Sequence, residues 1–200
     1  MIDSKEVKKI KKIKGKARGI TLNTDLKYIQ SLKAPKKVEE VKKMAQKIDP
    51  EFDYDKIRGV NWYPLWWRIL SLVIIKEVFD WGDKEIIEMG RKAPKNSFVT
   101  KIVLKYFVSI KKTLQEGTKY FSKHYYPGRF EPVEYNKKEK YVRYRLKNFK
   151  AHPIICTYFL GYFETVGRLG NSGRPTKVRE VKCPFKNKKD TYHEFITEWE

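Results

Sequence analysis

Residues 61–91, NWYPLWWRILSLVIIKEVFDWGDKEIIEMGR, decide how this chain must fold. Leu65, Ile69, Leu72 and Val73 share one side of a helical period, while Trp66, Leu70, Ile74 and Phe79 cover the remainder. The spacing therefore predicts a helix that is apolar around nearly its whole circumference, and such a helix has to be buried. Pro64 suits the first turn, where its missing N–H costs nothing, and Gly82-Asp83 is expected to end this helix and cap the next. A membrane span is the competing reading. The apolar part is confined between Arg68 and Lys76, far short of the roughly 20 residues a bilayer requires, so the segment reads as core.

Composition sets the frame around that helix. With 200 residues, 40% of them hydrophobic and 14% aromatic, the chain has material for one folded domain with a sizeable core. Lys and Arg number 45 against 24 Asp and Glu, a formal net charge of +21. That charge draws the protein toward polyanions, yet a lysine-rich, thermophile-like surface gives the same excess. Two cysteines, Cys156 and Cys183, do not make a disulfide framework, and no signal-peptide pattern opens the chain, so the cytoplasm is the expected compartment.

Upstream of the central helix, residues 1–18 carry eight Lys/Arg and two acids and read as a solvated basic arm, with residues 19–200 as a single domain. Residues 19–32 predict a strand or turn feeding a helix capped at Asn23 or Thr24. Residues 36–48 predict a short amphipathic helix on Val38, Val41, Met44 and Ala45, stopped by Asp49-Pro50. Downstream, Phe98, Ile102, Tyr106 and Ile110 mark another helix, and residues 114–126 a further one before Pro127-Gly128. The period then changes to two: residues 132–135 and 140–147 form a hairpin with Val142, Tyr144 and Leu146 on one face and Tyr141, Arg143 and Arg145 on the other. Residues 153–169 return to helix, and residues 176–185 and 191–199 form a second hairpin. The expected architecture is α+β: N-terminal helices packed on one antiparallel sheet of β-β-α-β-β order.

Several short motifs then line up in order: Gly19-Ile20-Thr21-Leu22, Asn61-Trp62-Tyr63-Pro64, Trp81-Gly82-Asp83, Gly90-Arg91, Tyr126-Pro127-Gly128 with Pro132 beyond, and a terminal Asp190, His193, Phe195, Trp199 pattern. Together they resemble the heme-NO-binding and 4-vinyl-reductase-like ligand-binding superfamily, most closely its bacterial members. The resemblance implies a sensor module that encloses a small ligand between helices and sheet and signals to a partner or by dimerising. In heme-binding members the axial histidine would fall near Gly117 and Thr118, where this chain has none, and the propionate-clamping strand reads Tyr141-Val142-Arg143-Tyr144-Arg145, with Arg143 in place of serine. Heme is therefore disfavoured. The vinyl-reductase-like branch implies zinc on the terminal hairpin, for which Cys183 and His193 are the candidates; Cys156 or His152 would join only if the fold brings them close.

The residues supply no nucleophile elbow, phosphate loop, dinucleotide fingerprint or zincin motif, so no enzymatic activity is expected. Candidates for lining a pocket among the aromatic helices are Tyr63, Trp66, Trp67, Arg68, Tyr106, Tyr141, Arg145, Tyr158 and Tyr162, around a small hydrophobic or anionic ligand. Arg68 is the most telling, because an arginine inside an apolar helix must snorkel, pair with an acid or meet an anion. The alternative function is nucleic-acid binding through the basic arm and a basic strand face of Tyr141, Arg143, Arg145, Lys140 and Lys147.

Overall fold

A computed structural model of the chain describes residues 2–96 and 110–200. In chain order its elements are α1 (Ser4–Lys11), β1 (Lys16–Arg18), α2 (Gly19–Ser31), α3 (Pro35–Ile48), β2 (Trp62–Pro64), α4 (Leu65–Phe79), α5 (Asp83–Asn96), α6 (Ile110–His124), β3 (Tyr125–Tyr126), β4 (Arg129–Asn136), β5 (Tyr141–Lys147), α7 (Pro153–Gly170), β6 (Thr176–Lys182) and β7 (His193–Trp199). The α+β architecture follows the sequence pattern. The helix expected through Phe98, Ile102 and Tyr106 lies outside the described residues. Among the described residues, no helix is long and apolar enough to cross a membrane.

α4 is the buried axis its composition demands, with every residue from Trp67 to Ile75 buried. It ends at Asp80, whose left-handed backbone (φ 56) lets the Trp81 N–H return to the Lys76 carbonyl at 2.8 Å, closing the orphan carbonyls of the last turn. The Glu85 carboxylate then accepts from the Gly82 N–H at 2.9 Å and so helps start α5. α2 differs from its sequence reading. It starts at Gly19, because the Gly19 and Ile20 N–H groups are taken by the carbonyls of Asn61 and Gly59; a tertiary contact replaces the expected side-chain cap, and Thr24 lies inside the helix.

Four antiparallel strands form the main sheet in the order β4-β5-β7-β6. Along β5, Val142, Tyr144 and Leu146 face inward and are almost fully buried, so the period-two pattern fixes which face meets the helices. A second, three-stranded sheet, β2-β1-β3, adds to the single sheet expected; its strands are too short for a period to register. β1 is its central strand, and Ile10 of α1 is fully buried. Residues 4–18 are thus a helix and a strand built into the fold, where the sequence suggested a solvated arm: one turn of apolar residues was enough to anchor α1 against α4.

α5 and α7 cross at backbone contact. A Cβ added at Gly90 would lie 2.1 Å from the Tyr158 carbonyl oxygen, and one at Gly161 would lie 1.8 Å from that of Ile87. Neither obstacle is a side chain that can swing away. Gly161→Ala is therefore expected to force the helices apart and destabilise the chain by about 1–3 kcal/mol or more, read as a fall in the urea midpoint; an unchanged midpoint would refute the tight crossing.

Candidate functional site

The interior polar cluster starts from two residues on separate helices. Arg68 projects from α4 with no exposed surface, and Asp25 from α2 is 1% exposed. The Arg68 Nη1 donates to Asp25 Oδ2 in a close ion pair. The guanidinium also lies over the Tyr158 ring of α7, 4.6 Å from its centroid, and the Tyr125 phenol of β3 sits beside it. Ser71, one turn on from Arg68, accepts from the Tyr54 hydroxyl at 2.7 Å and reaches Asp25 Oδ2 at 3.5 Å. Four separate segments thus converge on one charge.

Burial pushes the Asp25 carboxyl up to about 7, even against the pull of the Arg68 guanidinium. For Arg68, burial acts to lower the value, and Asp25, Tyr125 and Tyr158 more than reverse it, so the proton is held. The ionised carboxylate compensates the fixed charge of Arg68, since a neutral Asp25 would leave an unpaired cation in the core. The pair's hydrogen bonding is incomplete: the Tyr125 phenol approaches the guanidinium closely, but among the described residues Asp25 Oδ1, Arg68 Nε and Arg68 Nη2 have no hydrogen bond of good geometry. Leaving such atoms unpaired costs about 1–3 kcal/mol each.

Of the residues expected to line a pocket, only Arg68 and Tyr158 meet here. Trp67 faces another way, stacking on Phe52 at 4.7 Å and donating from Nε1 to Asp49 at 2.9 Å. Tyr63 stacks on Trp67 and accepts from the Arg58 N–H, and Trp66 packs edge-on to Trp67 with the Lys11 ammonium over its ring. Tyr162 belongs to the ring cluster of Phe159 and Phe163. Tyr106 lies outside the described residues. Tyr141 and Arg145 stand on the outer face of the sheet, opposite to an interior pocket, because β5 alternation that buries Tyr144 must expose its neighbours. Asp25, Ser71, Tyr54 and Tyr125 complete the cluster in their place. Asp25 had a visible signal, since Leu22 and Ile29 put it on the apolar stripe of its own helix.

The outer face is also less basic than the strand sequence suggests. Arg145 meets Glu194 at 2.6 Å, Lys147 meets Glu131 at 2.9 Å, Arg179 meets Glu198 at 3.1 Å, and Tyr141 donates to Glu134. Cross-strand register places an acid beside each of these groups, so the single-strand nucleic-acid platform expected there is a mixed-sign surface. Cys183 and His193 do come together near the hairpin base, with Cys156 and Glu180 beside them. His152, the other candidate ligand, instead caps α7 by accepting from the Ile154 N–H and faces Glu6.

No family model and no curated protein matches the sequence. Solved structures do match. An oxygen-binding H-NOX domain related to soluble guanylate cyclases aligns over 92% of this chain and 95% of its own, with TM-score 0.66 and 13% identity. The chain has the H-NOX fold. An unliganded Fe(II) H-NOX protein from K. algicida aligns at TM-score 0.65 and 12% identity, covering 92% of this chain and 96% of its own. One from S. oneidensis in the Fe(II)NO state aligns at TM-score 0.63 and 9% identity, covering 92% and 99%. The resemblance read from scattered motifs holds at the level of fold.

The aligned structures include Fe(II) H-NOX proteins; among the described residues, those at the positions the resemblance assigns to heme do not fit it. At the place expected for an axial histidine, a Cβ on Gly117 would lie 2.7 Å from the Phe130 ring, and Thr118 donates to the Phe130 carbonyl at 2.7 Å. The Tyr141 and Arg145 side chains are bound to Glu134 and Glu194 on the far face. None of the three histidines stands at the axial place: His124 Nδ1 meets the Tyr120 carbonyl at the end of α6, His152 Nδ1 caps α7, and His193 Nδ1 meets Glu180 at the start of β7.

Two measurements check this site. Removing one partner of a buried ion pair strands the other charge, so Arg68→Met alone should cost about 3–5 kcal/mol, whereas Arg68→Met with Asp25→Leu should recover most of it; a double variant no more stable than the single one by denaturant titration would contradict the pairing. Burial also pushes the His124 imidazole down, with the Tyr120 carbonyl opposing, so the unfolded chain binds its proton more tightly. Stability from this group is full above about pH 6.5, the unfolded value, and is lost as pH falls from there through the lower folded value. His124→Asn should flatten the dependence of Tm on pH between about 7 and 5 relative to the parent chain.

Proposed function

We propose that this chain is a non-enzymatic small-molecule sensor module whose ligand, a small anionic or polar molecule, engages Arg68. What carries the reading is the incompletely paired guanidinium at the junction of α2, α4, α7 and β3. An anion there takes the Nε and Nη2 donors, which lack a well-formed partner among the described residues, in the forked geometry that suits carboxylate-like groups. The fold supports the same reading, since the aligned H-NOX structures include oxygen and NO complexes. Asp25 is committed to holding Arg68, so the cluster serves binding better than proton transfer. Because Tyr158 belongs to α7 and α7 touches α5 at the backbone, a ligand that shifts the ring shifts both helices, and a partner or second copy of the chain reads the displacement.

The test combines native mass spectrometry of protein purified from its own host with thermal shifts against small anions such as formate, acetate, nitrite and bicarbonate. A ligand present at 100 times its Kd adds about 2.7 kcal/mol, a rise of several degrees at roughly 2–4 °C per kcal/mol. Arg68→Met should abolish the rise. Host-purified protein carrying no organic or anionic mass, together with no anion that moves Tm, would rule the reading out.

A further inference from the structure

Away from the Arg68 cluster, four side chains with metal-binding chemistry converge from separate places in the chain. Cys156 lies in the first turns of α7, Glu180 on β6, Cys183 just beyond β6, and His193 opens β7. One ligand atom from each lies within 4.8 Å of all the others. Cys156 Sγ is 3.6 Å from His193 Nδ1, which is 2.8 Å from Glu180 Oε1. Cys156, Cys183 and His193 are at most 6% exposed, and the Glu180 side chain is 3% exposed.

We propose that Cys156, Glu180, Cys183 and His193 bind one zinc ion tetrahedrally and thereby tie the C-terminal hairpin to the start of α7. Two thiolates, an imidazole and a carboxylate are a closed four-donor set for that metal. The spacing fits as well: with Zn–S about 2.3 Å and Zn–N about 2.05 Å, the S–N edge of a tetrahedron is about 3.6 Å. The Glu180–His193 edge is shorter than a coordination edge and opens by a small rotation of the carboxylate.

The strand itself argues that Glu180 has a task. On β6, Thr176, Val178 and Glu180 point inward while Lys177, Arg179 and Val181 point outward, leaving Val181 38% exposed. The chain thus buries a carboxylate and exposes the valine beside it, against the pattern that stabilises a strand with one covered face. A cation among the ligands offsets that cost. Two thiolates and a carboxylate against a dication leave one negative charge, and the Lys186 ammonium lies 3.6 Å from Glu180 Oε2. The loop is shaped around Cys183: its N–H donates to Asp190 Oδ2 at 3.0 Å, and its carbonyl accepts from the N–H groups of Lys186 and Asn187. Asp190, which lies between Cys183 and His193 in sequence, shapes the loop and is not a ligand.

The experiment uses the full chain, purified under reducing conditions, stripped with chelator and titrated with Zn²⁺ or Co²⁺. Expected are one metal per chain by elemental analysis, a tetrahedral Co²⁺ spectrum with thiolate charge-transfer absorption, two thiols that a disulfide reagent reaches only after chelation, and a lower Tm in the stripped protein. Glu180→Gln should weaken zinc binding by about 10–100-fold or more, and Cys156→Ser should remove one thiolate from the Co²⁺ absorption. If Cys156→Ser fails to fold, the parent's cobalt spectrum and the Glu180→Gln titration decide. Sub-stoichiometric metal in the parent, a cobalt spectrum without thiolate bands, or full affinity in Glu180→Gln each overturns the assignment.

Discussion

A permanent positive charge sits on the most apolar helix of this chain, and everything packed against α4 has to reckon with it. Arg68 cannot shed its proton and its side chain is fully buried, so the fold must bring it an acid and an aromatic face. Asp25 comes from α2, the Tyr158 ring from α7, and the Tyr125 phenol from the strand that follows α6. These groups are far apart in sequence. Placing them around one guanidinium fixes how the N-terminal helices and the C-terminal half dock. A buried pair of this kind adds little net stability compared with an apolar substitute; its value lies in specifying one arrangement, since any misdocked alternative strands the charge.

The close crossing of α5 and α7 gives that arrangement its stiffness. Where two helices meet through glycine, no side chain can repack to absorb a displacement, and Arg91 of α5 further binds Glu164 of α7 by two hydrogen bonds of 3.0 and 2.9 Å. α7 thus carries one polar cluster on each of two faces: Tyr158 against Arg68 and, two residues earlier, Cys156 against the terminal hairpin.

The helices and the main sheet were legible because their periods run for many residues; nine consecutive buried positions on α4 or a seven-residue alternation on β5 leave little choice. What escaped the sequence depends on contacts between distant segments. The strands β1, β2 and β3 are two or three residues long and exist because backbone groups meet across the fold. Arg68 was recognisable as a residue needing a partner, but which acid answered was not. Asp25 was hidden by reading Asn23 and Thr24 as a cap, an assignment that a carbonyl from Asn61 made unnecessary. The same holds for the hairpin base: Cys183 and His193 are near neighbours in sequence, while Cys156 and the inward turn of Glu180 are set by sheet register.

The small sheet has a consequence for how the chain is made. Its central strand pairs on one side with Trp62–Pro64 and on the other with Tyr125–Tyr126, so the second seam joins residues separated by roughly a hundred positions, a long-range closure that is slow to form. During synthesis the N-terminal helices can gather around α4 early, but β1 keeps one edge open until β3 leaves the ribosome. The lysines of α1 and Lys16 flank that edge, and like charges disfavour edge-to-edge pairing between chains there.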